Sequence, residues 1–244
     1  MKLRLFICCS GLLLALTAHA GISYGSYADG GLIPDGNPVG MGATATVSGY
    51  GSSISDISVN LNIGGPSPYI GDLYAYLSYS GVLVPLLNRV GVATGNAFGY
   101  SDAGMNITLS DSGANNIHFY QNYSRTYSGG QLTGTWRPDG QTTDPRLASS
   151  SPNSFSNPGT VTFAALNGLN PNGTWTLFIA DLSAGSQSQL DSWSLNISAV
   201  PEPVNVALGI FGGVFLVVIL ATSRPVRNRV HCWRLAVAHW IDAV

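Results

Sequence analysis

Peptide or ester hydrolysis by a Ser-His-Asp set needs an imidazole placed between a nucleophile and an acid. Between Gly21 and Val200 the chain offers one imidazole, His118, inside the apolar run Ile117-His118-Phe119, which reads as part of a strand. A zinc centre needs three or four His or Cys ligands, and Cys8, Cys9 and Cys232 all fall outside that stretch. Glycoside hydrolysis needs two carboxyls at a set separation, whereas the stretch holds no glutamate and nothing marks a pair among its aspartates. Calcium is the one inorganic ligand the composition favours, because Asp, Asn and loop carbonyls supply hard oxygens. These residues point to a non-enzymatic protein with no cofactor, a structural Ca2+ excepted.

The elements that would position such residues are strands. Ile57, Val59, Leu61 and Ile63 alternate with Ser58, Asn60 and Asn62, a period of two that turns one face to a core and the other to water. Leu73, Ala75 and Leu77 alternate in the same way, as do Trp175, Leu177 and Ile179, and then Trp193, Leu195, Ile197 and Ala199. Shorter apolar runs at 82–84, 107–109, 117–119 and 161–163 add further candidates. About eight strands parted by Gly, Pro, Asn and Asp predict an all-β fold, an antiparallel jelly-roll-like β-sandwich. Residues 21–31 read as a flexible lead-in and Asp139 to Asn157 as a long irregular excursion.

Only 9% of the 244 residues are charged. From Gly21 to Val200, ten aspartates face four arginines and no lysine, which leaves the segment six charges negative. A nucleic-acid partner needs a basic footprint, so that class is set aside.

Both ends read as addresses. Lys2 and Arg4, an apolar stretch through Leu16, and Ala18-His19-Ala20 have the three parts of a secretory signal, residues 1–20, with cleavage after Ala20. Residues 204–222 are almost entirely apolar and are followed by Arg224, Arg227 and Arg229. As a helix this run is about 28 Å long against about 30 Å of hydrocarbon, and cations just beyond a span stay in the cytoplasm. One C-terminal transmembrane helix is therefore expected, with the rest of the chain outside the cytoplasm. The order Pro201-Glu202-Pro203, apolar helix, arginine cluster resembles a PEP-CTERM sorting signal, here 200–229. That resemblance implies a Gram-negative source, an exosortase-type sorting enzyme as partner, and Pro201, Glu202 and Pro203 as the recognised tripeptide. The tail 230–244 departs from the pattern; as a helix it would set Trp233, Val237, Trp240, Ile241 and Val244 on one face, and an unselected extension is the other reading.

The segment 32–199 resembles the P domain (P/Homo B domain) that follows the catalytic domain in proprotein convertases and subtilisin-like proteases. The likeness lies in Ile33-Pro34-Asp35, Gly71-Asp72-Leu73, Gly134-Thr135-Trp136-Arg137-Pro138, Asn172-Gly173-Thr174-Trp175, Asp181, and Leu190-Asp191-Ser192-Trp193. It implies a domain that stabilises a partner rather than cutting bonds. Asp102 and Asp111 fall near the family's acidic segment, which makes them the candidate Ca2+ ligands. Trp175 and Trp193 are expected in the core, and Asp72 and Asp181 as turn acceptors for backbone N–H groups.

The leading functional expectation is an exported, membrane-anchored or exosortase-sorted module that binds or builds at the cell surface or in an exopolysaccharide matrix, after passing through the inner membrane with its ectodomain in the periplasm. Two alternatives stay open: an accessory P domain for a separately encoded, secreted subtilisin-like protease, and a carbohydrate-binding adhesin.

Overall fold

The computed structural model describes residues 18–25, 31–201 and 203–222, with side chains described for 31–199 and 209–219. Ten strands follow one another: β1 (Ala18–Gly25), β2 (Asn37–Val47), β3 (Ser52–Gly64), β4 (Leu73–Tyr79), β5 (Val82–Asn88), β6 (Met105–Ser110), β7 (Thr126–Ser128), β8 (Gln131–Trp136), β9 (Gly173–Asp181) and β10 (Gln189–Pro201). They form two sheets, one ordered β1-β10-β3-β6-β8-β7 and the other β2-β9-β4-β5.

The period-two pattern sets which face is buried. Ile57, Val59, Leu61 and Ile63 of the first sheet and Leu73, Ala75, Leu77, Trp175, Leu177 and Ile179 of the second fill a single apolar cluster, so the sheets share one core. At about 25 cal/mol per Å2 of apolar surface, each Val, Leu or Ile among them contributes about 1.5–3 kcal/mol. The β4–β5 hairpin closes on Ser80 and Gly81, both at positive φ (48° and 80°), the geometry of a two-residue type I′ turn.

Several expectations need correction. The sandwich is not purely antiparallel, because β8 runs parallel to β6 with Met105 opposite Leu132 and Leu109 opposite Trp136. The run Ile117-His118-Phe119 is not a strand; it opens a 3-10 segment, Ile117–Asn122, in which the Asn116 side chain accepts from the His118 N–H. Phe163 likewise begins a 3-10 turn, Phe163–Leu166, capped by Thr162. The lead-in is in part a strand, since Gly21 to Gly25 of β1 pair with Asn196 to Ser192 of β10.

The excursion 139–157 is irregular, with short 3-10 turns at Pro145–Leu147 and Pro152–Phe155. Asp139 and Gly140 donate to Leu86 and Pro85 carbonyls on β5, while Phe155 packs with Val92 and Ala148 in a second apolar cluster. Its neck is tight: a Cβ on Gly159 would lie 1.9 Å from the Gly140 carbonyl carbon.

The chain divides into two compact units, Met1–Val200 and Pro201–Val244. In the second, α1 (Pro203–Thr222) is a 20-residue helix. Its side chains are described only over 209–219, and among the described residues no helix is long and apolar enough to cross a membrane.

Candidate functional site

His118 sits in the 3-10 segment with its side chain fully buried, as is that of Asp139. Its Nδ1 lies 2.8 Å from Asp139 Oδ2 and its Nε2 2.8 Å from the Val92 carbonyl oxygen. The Val92 carbonyl can only accept, so Nε2 donates to it, and Nδ1 shares its hydrogen bond with the Asp139 carboxyl. Burial lowers the His118 pKa, but the charge and hydrogen bond of Asp139 and the Val92 carbonyl outweigh it and the net shift is upward. Asp139 also accepts from Asn88 N–H (3.0 Å) and Gln141 N–H (3.4 Å). Neither ring nitrogen is left to take a proton from a nucleophile.

A second charged cluster forms where β4 begins and β5 and β9 end. Leu73 pairs with Asp181, which brings Asp72 beside the last residue of β9. Arg89 Nη2 lies 3.5 Å from Asp72 Oδ1 and Arg89 Nη1 donates to Ser183 Oγ (3.0 Å). Arg89 adopts φ 54°, a left-handed conformation uncommon outside glycine; its N–H bonds the Leu73 carbonyl at 2.9 Å. Asp181 Oδ1 accepts from Ser183 N–H (3.3 Å), whereas Asp181 Oδ2 and Arg89 Nε have no hydrogen-bond partner. Burial pushes the Asp181 pKa up to about 7; the Ser183 N–H opposes this, Asp72 and Asp35 add to it, and Arg89 opposes it. Burial also raises Asp72, against the Ser183 hydroxyl and Arg89, and lowers Arg89 despite both carboxylates. A cavity of about 160 Å3 lies alongside, lined in part by Arg89, Ser183, Pro38, Pro145, Arg146 and Ser149.

The candidate calcium ligands are not brought together. Asp102 precedes β6 and Asp111 follows it, and the six-residue strand between them is about 17 Å long at about 3.4 Å per residue. Each carboxylate is also occupied. Asp102 Oδ2 accepts from Tyr120 Oη, from Gln121 Nε2 (2.7 Å) and from Tyr127 Oη (3.2 Å), and with burial it raises the Tyr120 pKa. Asp111 takes Phe163 N–H at 3.0 Å and Ala164 N–H at 2.8 Å, capping that 3-10 turn. Among the described residues no group of three or more His, Cys, Asp or Glu is placed to hold a metal.

Trp175 and Trp193 are core residues, at 0% and 2% exposure; Trp175 stacks on Tyr79 at 3.9 Å and donates to the Pro171 carbonyl. Asp181 is a turn acceptor as expected, but Asp72 pairs with Arg89 instead. Pro201 ends β10 and Pro203 opens α1, while Glu202, Arg224, Arg227 and Arg229 lie outside the described residues. Ala20 lies in β1 opposite Ile197, and residues 1–17 of the expected signal are likewise outside the described residues.

Sequence reasoning missed Arg89 and Asp139. The cue for the first is a cation inside the apolar run Leu86-Leu87-Asn88-Arg89-Val90, since a charge there must find a counter-charge. It also passed over a Gly-x-Ser-x-Gly match, Gly21-Ile22-Ser23-Tyr24-Gly25. That segment is continuous strand, with Ser23 opposite Ser194, rather than the sharp strand-to-helix turn such a nucleophile needs.

No family model matches the chain, and no curated protein matches it either. Among solved structures, the Aeromonas sobria serine protease in complex with its chaperone is similar at a TM-score of 0.40, with 14% identity over 77% of this chain and 28% of that one. The same protease crystallised alone gives a TM-score of 0.38, 14% identity, and 76% and 28% coverage. The chain thus spans less than a third of the structures it resembles, and at this level of likeness its function is argued from its own residues.

Proposed function

We propose that the chain is a non-catalytic β-sandwich module, of jelly-roll and P-domain type, that works by binding at a cell surface or within an exopolysaccharide matrix. The observation that carries this reading is His118, the one imidazole whose side chain is described: it is buried and both its ring nitrogens are taken, one by the Asp139 carboxyl and one by the Val92 carbonyl. A ring so fixed cannot serve as a general base.

Export and sorting belong to the same proposal. A signal cleaved after Ala20 sends the chain through the inner membrane of a Gram-negative bacterium, and an exosortase-type enzyme then acts at Pro201-Glu202-Pro203. Support comes from the order of tripeptide, apolar run and arginines. It comes also from the large apolar side chains of α1 from Ile210 to Ile219, which are 44–72% exposed, since apolar surface of that extent calls for a cover such as lipid.

Two measurements test the proposal. Purified ectodomain, residues 21–199, is expected to leave peptide and ester substrates intact; turnover abolished by a single side-chain change would overturn non-catalysis. The intact mass of the mature protein from cells with and without the sorting enzyme is expected to differ at the C-terminal end only. Identical masses would overturn the sorting step.

A further inference from the structure

One peptide bond of the excursion is chemically unlike the rest. Asp144-Pro145 is the one Asp-Pro pair in the chain. Such a bond carries its own nucleophile, because an aspartate carboxylate can close a five-membered ring on its own carbonyl carbon at high effective concentration. Proline supplies the leaving group, a nitrogen without an N–H that takes a proton more readily than an ordinary peptide nitrogen. Water and acid reach the bond, since the Asp144 and Arg146 side chains are 37% and 74% exposed.

What the fold adds is a clamp. Arg146 Nε donates to Asp144 Oδ1 and Oδ2 (2.9 and 3.2 Å), Arg146 Nη2 donates to Oδ2 (2.6 Å), and the Arg146 N–H donates to Oδ1 (3.0 Å). A carboxylate gripped on both oxygens by a guanidinium fork keeps its charge but must let go before it can attack. The same bonds, those of the Arg146 side chain first and of its N–H second, hold the Asp144 carboxyl down at about 2 against the usual 3.8. Tyr74 of β4 also faces Asp144, as a phenol that carries no charge in acid.

We infer that Asp144-Pro145 is a latent self-cleaving bond, opened by acid and held shut by Arg146. An Asp144 carboxylate oxygen bonds its own carbonyl carbon, the carbon–nitrogen bond to Pro145 breaks, and the nitrogen leaves with a proton from solvent. One water then opens the cyclic anhydride, so residue 144 ends in two carboxyls and Pro145 becomes an N-terminus. Nothing is oxidised or reduced, and the step happens once per chain without a catalytic site, so it stands apart from the non-catalytic reading of the sandwich.

Both flanks are anchored, which keeps the two pieces together. Upstream, Asn88 Nδ2 donates to the Gln141 and Thr143 carbonyls. Downstream, Phe155 is buried and its carbonyl accepts from Gln141 Nε2 (3.0 Å). Beyond it, β9 of the second piece lies between β2 and β4 of the first.

The test holds the full chain at pH 4, 3 and 2, with near-ultraviolet circular dichroism to show that it stays folded and mass spectrometry to follow cutting between 144 and 145. The expected result is slow cutting in the parent, none in Asp144→Ala, and cutting about threefold faster in Arg146→Ala at pH 4, the scale of an exposed ion pair. The gap should narrow as pH falls toward 2, where the clamped carboxyl itself takes up a proton. In urea the clamp is gone, and parent and Arg146→Ala should cut alike. Cut protein should still elute as one body of the parent's size. No cut in either folded chain, a cut in Asp144→Ala, equal folded rates at pH 4, or a gap that persists in urea would each overturn the inference. Pieces that separate without denaturant would overturn the anchoring.

Discussion

The two buried charged clusters of the ectodomain differ in balance. Around His118 one imidazole meets one carboxyl group, and both ring nitrogens and both Asp139 oxygens are engaged. Around Arg89 two carboxylates, Asp72 and Asp181, share one guanidinium, and Arg89 Nε and Asp181 Oδ2 lack partners. A buried pair holds a fold together when its geometry satisfies both charges, and becomes conditional when it does not. The first cluster is therefore a fixed joint between the 3-10 segment, β5 and the excursion. The second responds to protons.

The sharpest way to break that contrast is Asp139→Ala, which takes away the partner of the buried His118 ring and orphans the Asn88 and Gln141 N–H groups. We expect a loss of about 3–5 kcal/mol in urea unfolding, and a loss below 1 kcal/mol would show that His118 folds neutral. Arg89→Met leaves Asp72 without its cation beside an Asp181 that protonation can already neutralise. The expected cost is smaller, about 2 kcal/mol, and a cost equal to that of Asp139→Ala would erase the distinction.

The pH dependence sharpens it further. Asp181 has a folded pKa of about 7 against 3.8 for a free aspartate, so its stabilising protonation is complete below about 4 and is lost as pH rises through 7. His118 is shifted the same way from 6.5, so its contribution is present below 6.5 and is lost only above that value. Melting temperature should fall as pH rises from 4 to 8, and Asp181→Asn should remove the part below 6.5, a change of about 5 °C. An unchanged profile in Asp181→Asn would place the proton elsewhere. The smallest effect expected is that of calcium: with Asp102 and Asp111 at opposite ends of β6, chelator and added Ca2+ should give equal melting temperatures, and a clear rise with Ca2+ would point to a site formed by other oxygens.

Much of the sandwich was legible because alternation survives wherever a strand is long and one face is wet, as in 57–63 and 193–199. Short runs failed for a physical reason. Ile117-His118-Phe119 has too few residues to show a period, and the capping by Asn116 that makes it 3-10 is a local polar contact that apolar counting does not register. β2 was passed over because Gly40 and Gly42 interrupt it and its buried side chains are Ala43, Ala45 and Val47, which are small. The parallel β6–β8 pair leaves no local signature at all. For the site, Asp181 was legible as a turn acceptor, but its neighbour Arg89 lies far away in sequence and only the pairing of β4 with β5 and β9 brings them together.

The touching backbones of Gly140 and Gly159 fix both ends of the excursion, so what lies between is closed at its base whatever its length. Lengthening such a loop costs little, since closure entropy grows only slowly with added residues. Ser149 and Ser150 are exposed at its outer turn, which makes them the place to splice in a foreign tag or epitope for display. Any side chain at Gly159, by contrast, would pry open the base and release Phe155 from its seat.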